Sequence, residues 1–411
     1  MTNYIAGGFC LVALRFLSYF SSTMYMVALP VIMMKLHSPA AFISWSFFSF
    51  MLGSLVAQLV AAPFSDYFSR RYTLTICLLG FMFGCLITAI AKTDSLFIIG
   101  RLMQGIGIGC VPGLANSIIN DACTLKHSRD KNVATAKILA TLGLIISWAT
   151  SIGMIITASL VNDISWQAVF YFLMIFSGLI LFVMMKILLH FDEHINPDKI
   201  DLKKTLRLYQ EIFTNPKLLC YSGTFGLMLS ILYIYLLLSS SILFHQHLSL
   251  IKIALLTLIP STGYALGKLL NLLLPSYLKA RHSLVIGPLI AVVFSLLAAL
   301  ACVEQESLAI ILPLIGCLFM GIGSTSPLTI ARIMALYPNN TTMASNAQII
   351  ILSACSLVIT YLAIFFHIHS ELSLTVFMSG ICLAALFISA LYSFMRSQEK
   401  HPSVIRIELG P

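Results

Sequence analysis

The chain has 411 residues, of which 59% are hydrophobic and 9% charged, and its mean hydropathy is +0.97. Because an ordinary soluble domain carries about 25% charged residues, this composition excludes a water-soluble globular protein and predicts a protein embedded in a lipid bilayer. The net charge of +9 does not indicate a nucleic-acid partner, since the basic residues lie mostly in short connections between apolar runs, where membrane topology itself places them.

Apolar runs long enough to cross a bilayer recur along the whole sequence. A membrane-spanning helix needs about 20 such residues, whereas the strands of a membrane barrel are about 10 residues long and alternate in polarity. The pattern therefore predicts helices. We expect twelve of them, at about residues 8–34, 41–64, 73–91, 95–119, 135–161, 166–190, 217–244, 251–275, 283–302, 307–334, 343–367 and 371–395.

A charge-rich stretch, residues 191–216, divides these helices six and six. The predicted fold class is all-α and polytopic, with twelve transmembrane helices in two six-helix bundles, residues 1–190 and 217–396, joined by this linker and followed by a tail, 397–411. Apolar residues recur at helical spacing within the linker, which fits either an amphipathic helix on the membrane surface or a solvated connection. The first apolar stretch is too long for a signal peptide, so we expect it to remain uncleaved.

Lysine and arginine are distributed unevenly between the two sides of the predicted helices. Of the 24 basic residues, 18 share the side of both termini and 3 lie on the opposite side. The positive-inside rule therefore predicts that the termini and the linker are cytoplasmic. The remaining three basic residues, Arg15, Arg101 and Lys268, lie inside apolar helices.

A first charged cluster lies at the turn between predicted helices 2 and 3. Asp66 ends one helix, and Arg70 and Arg71 begin the next. A surface ion pair contributes only about 0–1 kcal/mol, so a pair at this turn can form and break during a conformational cycle. We predict a conformational latch; the alternative is that these arginines serve topology alone.

A second polar cluster, with the sequence R-L-M-Q-G-I-G-I-G, begins at Arg101 inside predicted helix 4. An arginine within a membrane helix costs roughly 2.5–3.5 kcal/mol on insertion scales, so we expect Arg101 and Gln104 to face a polar cavity, with snorkelling to the outer surface as the alternative. The glycines of this cluster allow a neighbouring helix to approach closely; they are Gly105, Gly107 and Gly109.

Both clusters resemble signatures of the major facilitator superfamily of secondary transporters. Its loop between helices 2 and 3 has the pattern G-x-x-x-D-R-x-G-R-R, and Asp66, Arg70 and Arg71 stand on the acid and the last two arginines. Three positions depart from this pattern: Ala62, Tyr67 and Ser69. The helix 4 cluster is similar to the R-x-x-Q-G-x-G signature of the superfamily's drug/proton antiporters. The resemblance implies two bundles that expose one central site alternately to either face.

A closer resemblance, over about residues 20 to 175, is to antiporters of the bicyclomycin-resistance type. It rests on M-Y-M-V-A-L-P (24–30), S-F-M-L-G (49–53) and S-W-Q-A-V-F (165–170). That group usually has an acid in helix 1 where this chain has Thr23. The usual protonation site is therefore missing.

Without a carboxylate well inside any helix, a cavity that contains Arg101 is expected to be electropositive and to favour an anion or a neutral polar compound. Arg15 and Lys268 either share that cavity or snorkel to the membrane surface. Further polar side chains inside predicted helices are candidates for its lining: Asn116, Tyr233, Tyr235 and Ser324.

The predicted function is transport of a small molecule rather than catalysis, with no cofactor, metal or catalytic residue expected. We expect export of an anionic or polar compound, such as a carboxylate siderophore or metabolite, by a monomer in a bacterial inner membrane. Three alternatives stay open: proton-coupled multidrug efflux, import of a nutrient or metal chelate, and a transporter-like membrane sensor.

Overall fold

A computed structural model of the chain describes residues 2–67, 70–114, 141, 143–187, 202–273, 283–337 and 341–398. Within these ranges all regular secondary structure is helical, and twelve helical spans are long and apolar enough to cross a membrane. The prediction of an all-α fold with twelve transmembrane helices is thereby confirmed.

The spans are labelled α1 to α12 in chain order, and two of them are interrupted by short 3₁₀ segments. Their bounds are Thr2–Thr23, Met24–Ala28 and Leu29–Leu36 (α1), Ala41–Tyr67 (α2), Arg70–Ala89 (α3), Asp94–Ile108 (α4, with a further turn to 114), Ile146–Trp148 and Ala149–Asp163 (α5), Gln167–Ile187 (α6), Pro216–His245 (α7), Leu250–Leu256 and Leu258–Leu273 (α8), Ser283–Val303 (α9), Leu308–Leu336 (α10), Thr341–Phe365 (α11) and Glu371–Gln398 (α12). A linker helix, Leu202–Thr214, lies between α6 and α7.

The interruption in α1 has two causes in the sequence. Pro30 has no amide hydrogen, so the carbonyl of Met26 accepts from Leu29 in a tighter 3₁₀ bond. Just before it, the hydroxyls of Ser21 and Thr23 donate back to carbonyls of their own helix, at 2.8 Å each, which bends helices.

Glycines let α4 pack directly against the backbones of both its neighbours. A Cβ added at Gly105 would lie 2.1 Å from the carbonyl oxygen of Phe50 in α2, one at Gly109 2.5 Å from that of Ser54, and one at Gly107 2.3 Å from the amide nitrogen of Phe81 in α3. No side chain larger than hydrogen fits at these crossings.

The same packing recurs six helices later. A Cβ at Gly263 of α8 would lie 2.0 Å from the carbonyl oxygen of Gly316 in α10, as one at Gly53 of α2 would lie 2.2 Å from that of Leu102 in α4. The repeated crossing is the geometry expected of two halves built on one plan.

The two halves pack together away from the side of the chain termini, which is the face where α1 begins and α12 ends. Between α5 and α8, the hydroxyl of Ser151 lies 2.8 Å from the carbonyl of Thr257 and 2.6 Å from the hydroxyl of Ser261. Between α2 and α11, the ring centroids of Phe48 and Tyr361 are 6.2 Å apart. This packing leaves space between the halves on the termini side.

The linker helix packs against the second half of the chain. Ile212 is fully buried in a cluster with Leu218 of α7 and Ile333 of α10, and the Asn215 side chain that follows donates to the Tyr337 hydroxyl at 2.8 Å. The helix expected in this segment is therefore present, and part of its apolar face packs against the second half of the chain.

The glycine crossings predict a contrast between two alanine substitutions. Gly105→Ala is expected to destabilise the protein by about 1–3 kcal/mol, because the new Cβ forces α2 and α4 apart. Gly380→Ala is the matched control, since a Cβ there meets nothing within 4 Å, and it should leave stability unchanged or raise it by up to about 1 kcal/mol. Thermal denaturation in detergent measures both, and equal melting temperatures would contradict direct backbone packing.

Candidate functional site

A cavity of about 210 Å³ lies between the two halves. Its lining comes from the termini-side parts of α1, α2, α4, α5, α7, α8, α10 and α11. Two cations line it, Arg15 of α1 and Lys268 of α8, and the described lining residues include no aspartate or glutamate. The cavity is therefore electropositive.

Lys268 connects the two halves at the cavity wall. Its Nζ donates to the carbonyl of Gly143, just before α5, at 2.7 Å and to the hydroxyl of Ser147, in the first turn of α5, at 3.2 Å. The same Nζ lies 4.0 Å from the centroid of the Tyr264 ring. The side chain is only 4% exposed, so its ammonium is held inside by neutral groups instead of snorkelling to the membrane surface.

Arg15 lines the cavity beside Tyr19, with which it interacts electrostatically. Tyr233 and Tyr264 also line the cavity. The three tyrosines come from both halves of the chain.

Two glutamine amides in the cavity wall have unused hydrogen-bonding atoms. Gln58 of α2 donates through Nε2 to the Ser54 hydroxyl at 3.0 Å, but its Oε1 is buried without a partner, as is the Nε2 of Gln348 in α11. Both residues line the cavity. Buried polar atoms of this kind usually find a partner, and a bound ligand would supply one.

Arg101 and Gln104 lie elsewhere than the sequence predicted. Arg101 is fully buried and is outside the cavity lining. Its guanidinium donates to the Gln104 Oε1 and, at 3.2 Å, to the carbonyl of Ser21. The ring centroids of Tyr25 and Phe50 lie 3.8 and 4.4 Å from it. Neutral acceptors and aromatic faces inside the first half thus hold the charge.

Gln104 completes this buried arrangement, because its Nε2 donates to the Thr88 hydroxyl at 3.0 Å and to the Gly84 carbonyl at 3.3 Å. The group consequently joins α4 to α1, α2 and α3. Since Phe50 also lines the cavity, the Arg101 charge lies one aromatic ring behind the cavity wall.

Two further candidates point away from the cavity. Tyr235 packs edge-on against Phe319 with ring centroids 5.4 Å apart, and Ser324 donates to the Gly321 carbonyl of its own helix at 2.8 Å. Residues two positions away on the same helices line the cavity, namely Tyr233 and Ser326. A step of two residues turns a helix by about 200°, so only one member of each pair faces inward.

The latch residues are described only through their backbone. Asp66 lies in the last turn of α2, and Arg70 and Arg71 begin α3, as the sequence predicted for their helices. The side chains of these three residues, and Asn116 altogether, fall outside what the structure describes. The latch and the role of Asn116 stay predictions.

Comparison with known proteins identifies one family. A model described as Major Facilitator Superfamily matches residues 11–351. Among curated proteins, MFS transporter L2 of Phoma sp. is 28% identical over 177 residues, 43% of this chain and 28% of that protein. Multidrug resistance protein MdtL of Salmonella newport is 29% identical over 148 residues, 36% of each. The chain thus spans about a third of the length of the curated relatives it matches.

Solved structures share the fold over almost the whole chain. A partially occluded inward-open conformation of the xylose transporter XylE from E. coli has a TM-score of 0.71 at 12% identity, covering 95% of this chain and 98% of that one. The nucleoside transporter NupG has a TM-score of 0.67 at 13% identity, covering 94% and 99%. At these identities the likeness establishes the fold alone.

The buried position of Arg101 predicts a loss of stability when it is replaced. Arg101→Met leaves the Ser21 carbonyl and the Gln104 amide without their donor, and we expect a cost of about 3 kcal/mol. Lys186→Met is the control, because Lys186 is exposed with its Nζ 4.5 Å from the Phe182 ring, and it should change stability by less than about 0.5 kcal/mol. Denaturation of the purified variants tests this, and an unchanged melting temperature for Arg101→Met would refute the structural role.

Proposed function

The chain belongs to the Major Facilitator Superfamily of secondary transporters, and from that premise we propose that it exports a small anionic compound by alternating access. The observation that carries the proposal is the charge of the cavity. Arg15 and Lys268 line it, Arg101 lies behind its Phe50 wall, and the described lining has no carboxylate. Such a cavity concentrates anions and repels cations.

Export is favoured by the energetics of an anion in a cell that is negative inside. Moving one negative charge outward gains about 2.3 kcal/mol per 100 mV. A transporter with this cavity therefore needs no protonatable carboxylate to drive an anion out. The excess of basic residues on the termini side supports cytoplasmic termini, with the cavity open toward the cytoplasm; the membrane we propose is a bacterial inner membrane.

Lys268 offers a way to couple anion binding to movement of the halves. In the structure its ammonium is bound to a carbonyl and a hydroxyl of the other half. Two opposite charges attract each other more strongly in a low-dielectric site than an ammonium attracts a neutral carbonyl or hydroxyl, so an arriving anion competes for this ammonium. Drawing Lys268 away from Gly143 and Ser147 therefore weakens a bond between the halves on the termini side of α5 and α8.

The first alternative is proton-coupled efflux of drugs, which the name of the Salmonella relative and the helix 4 signature favour. Two properties of the cavity, its volume and its charge, disfavour drug efflux. Its volume of about 210 Å³ lies below the ~300–1,000 Å³ of sites for drug-sized ligands, and its charge repels the lipophilic cations typical of such efflux.

Two alternatives remain: import of a nutrient or metal chelate, and a sensor without transport. The fold does not distinguish them from export, because one fold serves both directions of transport and other roles, so transport measurements must. Net uptake driven by a potential that is positive inside a liposome supports an anion transporter. Binding without any flux supports a sensor, and stronger uptake of a metal chelate than of free anions supports import.

The proposal predicts the charge preference and the role of Lys268. In proteoliposomes of the purified protein, with pH gradient and potential imposed separately, we expect benzoate or citrate to enter faster under a potential positive inside, and tetraphenylphosphonium to be excluded. Lys268→Met should raise the KM for the anion at least about 10-fold, because the cation that binds it is gone. Lys186→Met, which changes a cation outside the cavity, should leave the KM unchanged. Transport of the cation as fast as any anion would overturn the proposal.

A further inference from the structure

The size of the cavity restricts the anion to a small molecule. An apolar cavity of about 150 Å³ binds a benzene molecule, while drug-sized ligands occupy ~300–1,000 Å³. At about 210 Å³, the cavity between the halves has room for one six-membered ring with one or two short substituents. This inference rests on the proposed export of an anion and specifies which class of anion is exported.

The walls of the cavity are suited to an aromatic ring. Tyr19 and Phe50 line it from the first half, and Phe225, Tyr233 and Tyr264 line it from the second. Aromatic side chains favour aromatic ligands through edge-to-face and offset contacts beyond their apolar area. A ring held between them would touch both halves at once.

The two ends of the cavity differ in charge at corresponding positions of the repeat. Gly53 and Gly263 mark the equivalent crossings of α2 and α8, and the residue five positions later lines the cavity in each helix, Gln58 in α2 and Lys268 in α8. The α8 corner thus presents an ammonium. The α2 corner presents the unpartnered Oε1 of Gln58, and its neighbour α11 presents the unpartnered Nε2 of Gln348.

A carboxylate fits the first corner and a hydroxyl fits the second. The carboxylate is the natural acceptor for Lys268. A hydroxyl both donates and accepts, so it satisfies an amide oxygen that lacks a donor and an amide nitrogen that lacks an acceptor. We therefore propose that the substrate class is a monocyclic hydroxylated aromatic carboxylate, with its carboxylate at Lys268 and its hydroxyl at the Gln58 and Gln348 amides.

Binding to the full-length protein in nanodiscs, measured calorimetrically, tests this class with four compounds of similar size. We expect 4-hydroxybenzoate to bind about 10-fold more tightly than benzoate, which lacks the hydroxyl. Benzoate should bind about 3- to 10-fold more tightly than cyclohexanecarboxylate, which lacks the aromatic ring. The neutral 4-hydroxybenzamide should bind at least 10-fold more weakly than 4-hydroxybenzoate.

Each result that departs from these expected affinities leads to a different conclusion. If cyclohexanecarboxylate or citrate binds as tightly as 4-hydroxybenzoate, the aromatic class is wrong while the anion exporter stands. If 4-hydroxybenzamide binds as tightly as 4-hydroxybenzoate, the cavity does not select for charge, and both this inference and the proposed function fall.

Substitutions of the two glutamines test whether their amides bind the hydroxyl group of the ligand. Gln348→Leu and Gln58→Leu should reduce the preference for 4-hydroxybenzoate over benzoate from about 10-fold toward 1, while benzoate binding stays within about 3-fold of wild type. Tyr235→Phe is the control for general disturbance, because Tyr235 packs on Phe319 outside the cavity, and it should leave both affinities unchanged. Each readout is a ratio of two affinities measured on the same variant. Partial misfolding lowers both affinities together and therefore leaves this ratio unchanged. A hydroxyl preference that survives both leucine substitutions would refute the assignment.

Discussion

Positive charge held inside a membrane by neutral groups is the constraint on which this structure depends. Arg101 and Lys268 are nearly inaccessible to solvent, and the hydrogen-bond acceptors described for them are carbonyl, hydroxyl and amide oxygens. Charges in a membrane span are costly unless they are satisfied or face water. The two cations meet this cost differently, because one is enclosed by aromatic rings within a half and the other lies between halves beside a cavity.

Close packing of the helices fixes where each of these charges can go. Glycine crossings bring α4 against the backbones of α2 and α3, so the Arg101 side chain has no route outward and is covered by Tyr25 and Phe50. The break in α1 exposes the Ser21 carbonyl that accepts from it. In α8 the corresponding glycine crossing leaves Lys268 free to reach the other half. Helix packing thereby decides which cation is enclosed within one half and which lines the cavity between the halves.

The fold was predictable from the sequence because hydropathy, length and the charged linker together define twelve spans, whatever their neighbours. The site was predictable only in part. Arg15, Lys268 and Tyr233 line the cavity, but Tyr235 and Ser324 do not, since α7 and α10 are apolar around most of their circumference and their sequences carry no amphipathic period that marks the inward face. For Arg101 the insertion cost led us to expect a polar cavity, whereas the structure encloses its guanidinium inside the first half with Ser21, Gln104 and two aromatic rings; the sequence does not reveal these contacts, because they join residues of different helices.

The α5–α8 contact and the α2–α11 contact join equivalent helices of the two halves, but different side chains lie at these contacts near the cavity. At α5 and α8 an ammonium bonds to the other half. At α2 and α11 the amides of Gln58 and Gln348 have atoms without partners. An anion with a polar group at its far end therefore removes an existing bond at one contact and adds new bonds at the other. Because alternating access needs both contacts to rearrange, a ligand that spans the cavity changes their balance in one step, whereas a small inorganic anion would reach only the charged corner. If the substrate is the anion proposed above, the asymmetry between Lys268 and Gln58 makes its length matter as well as its charge.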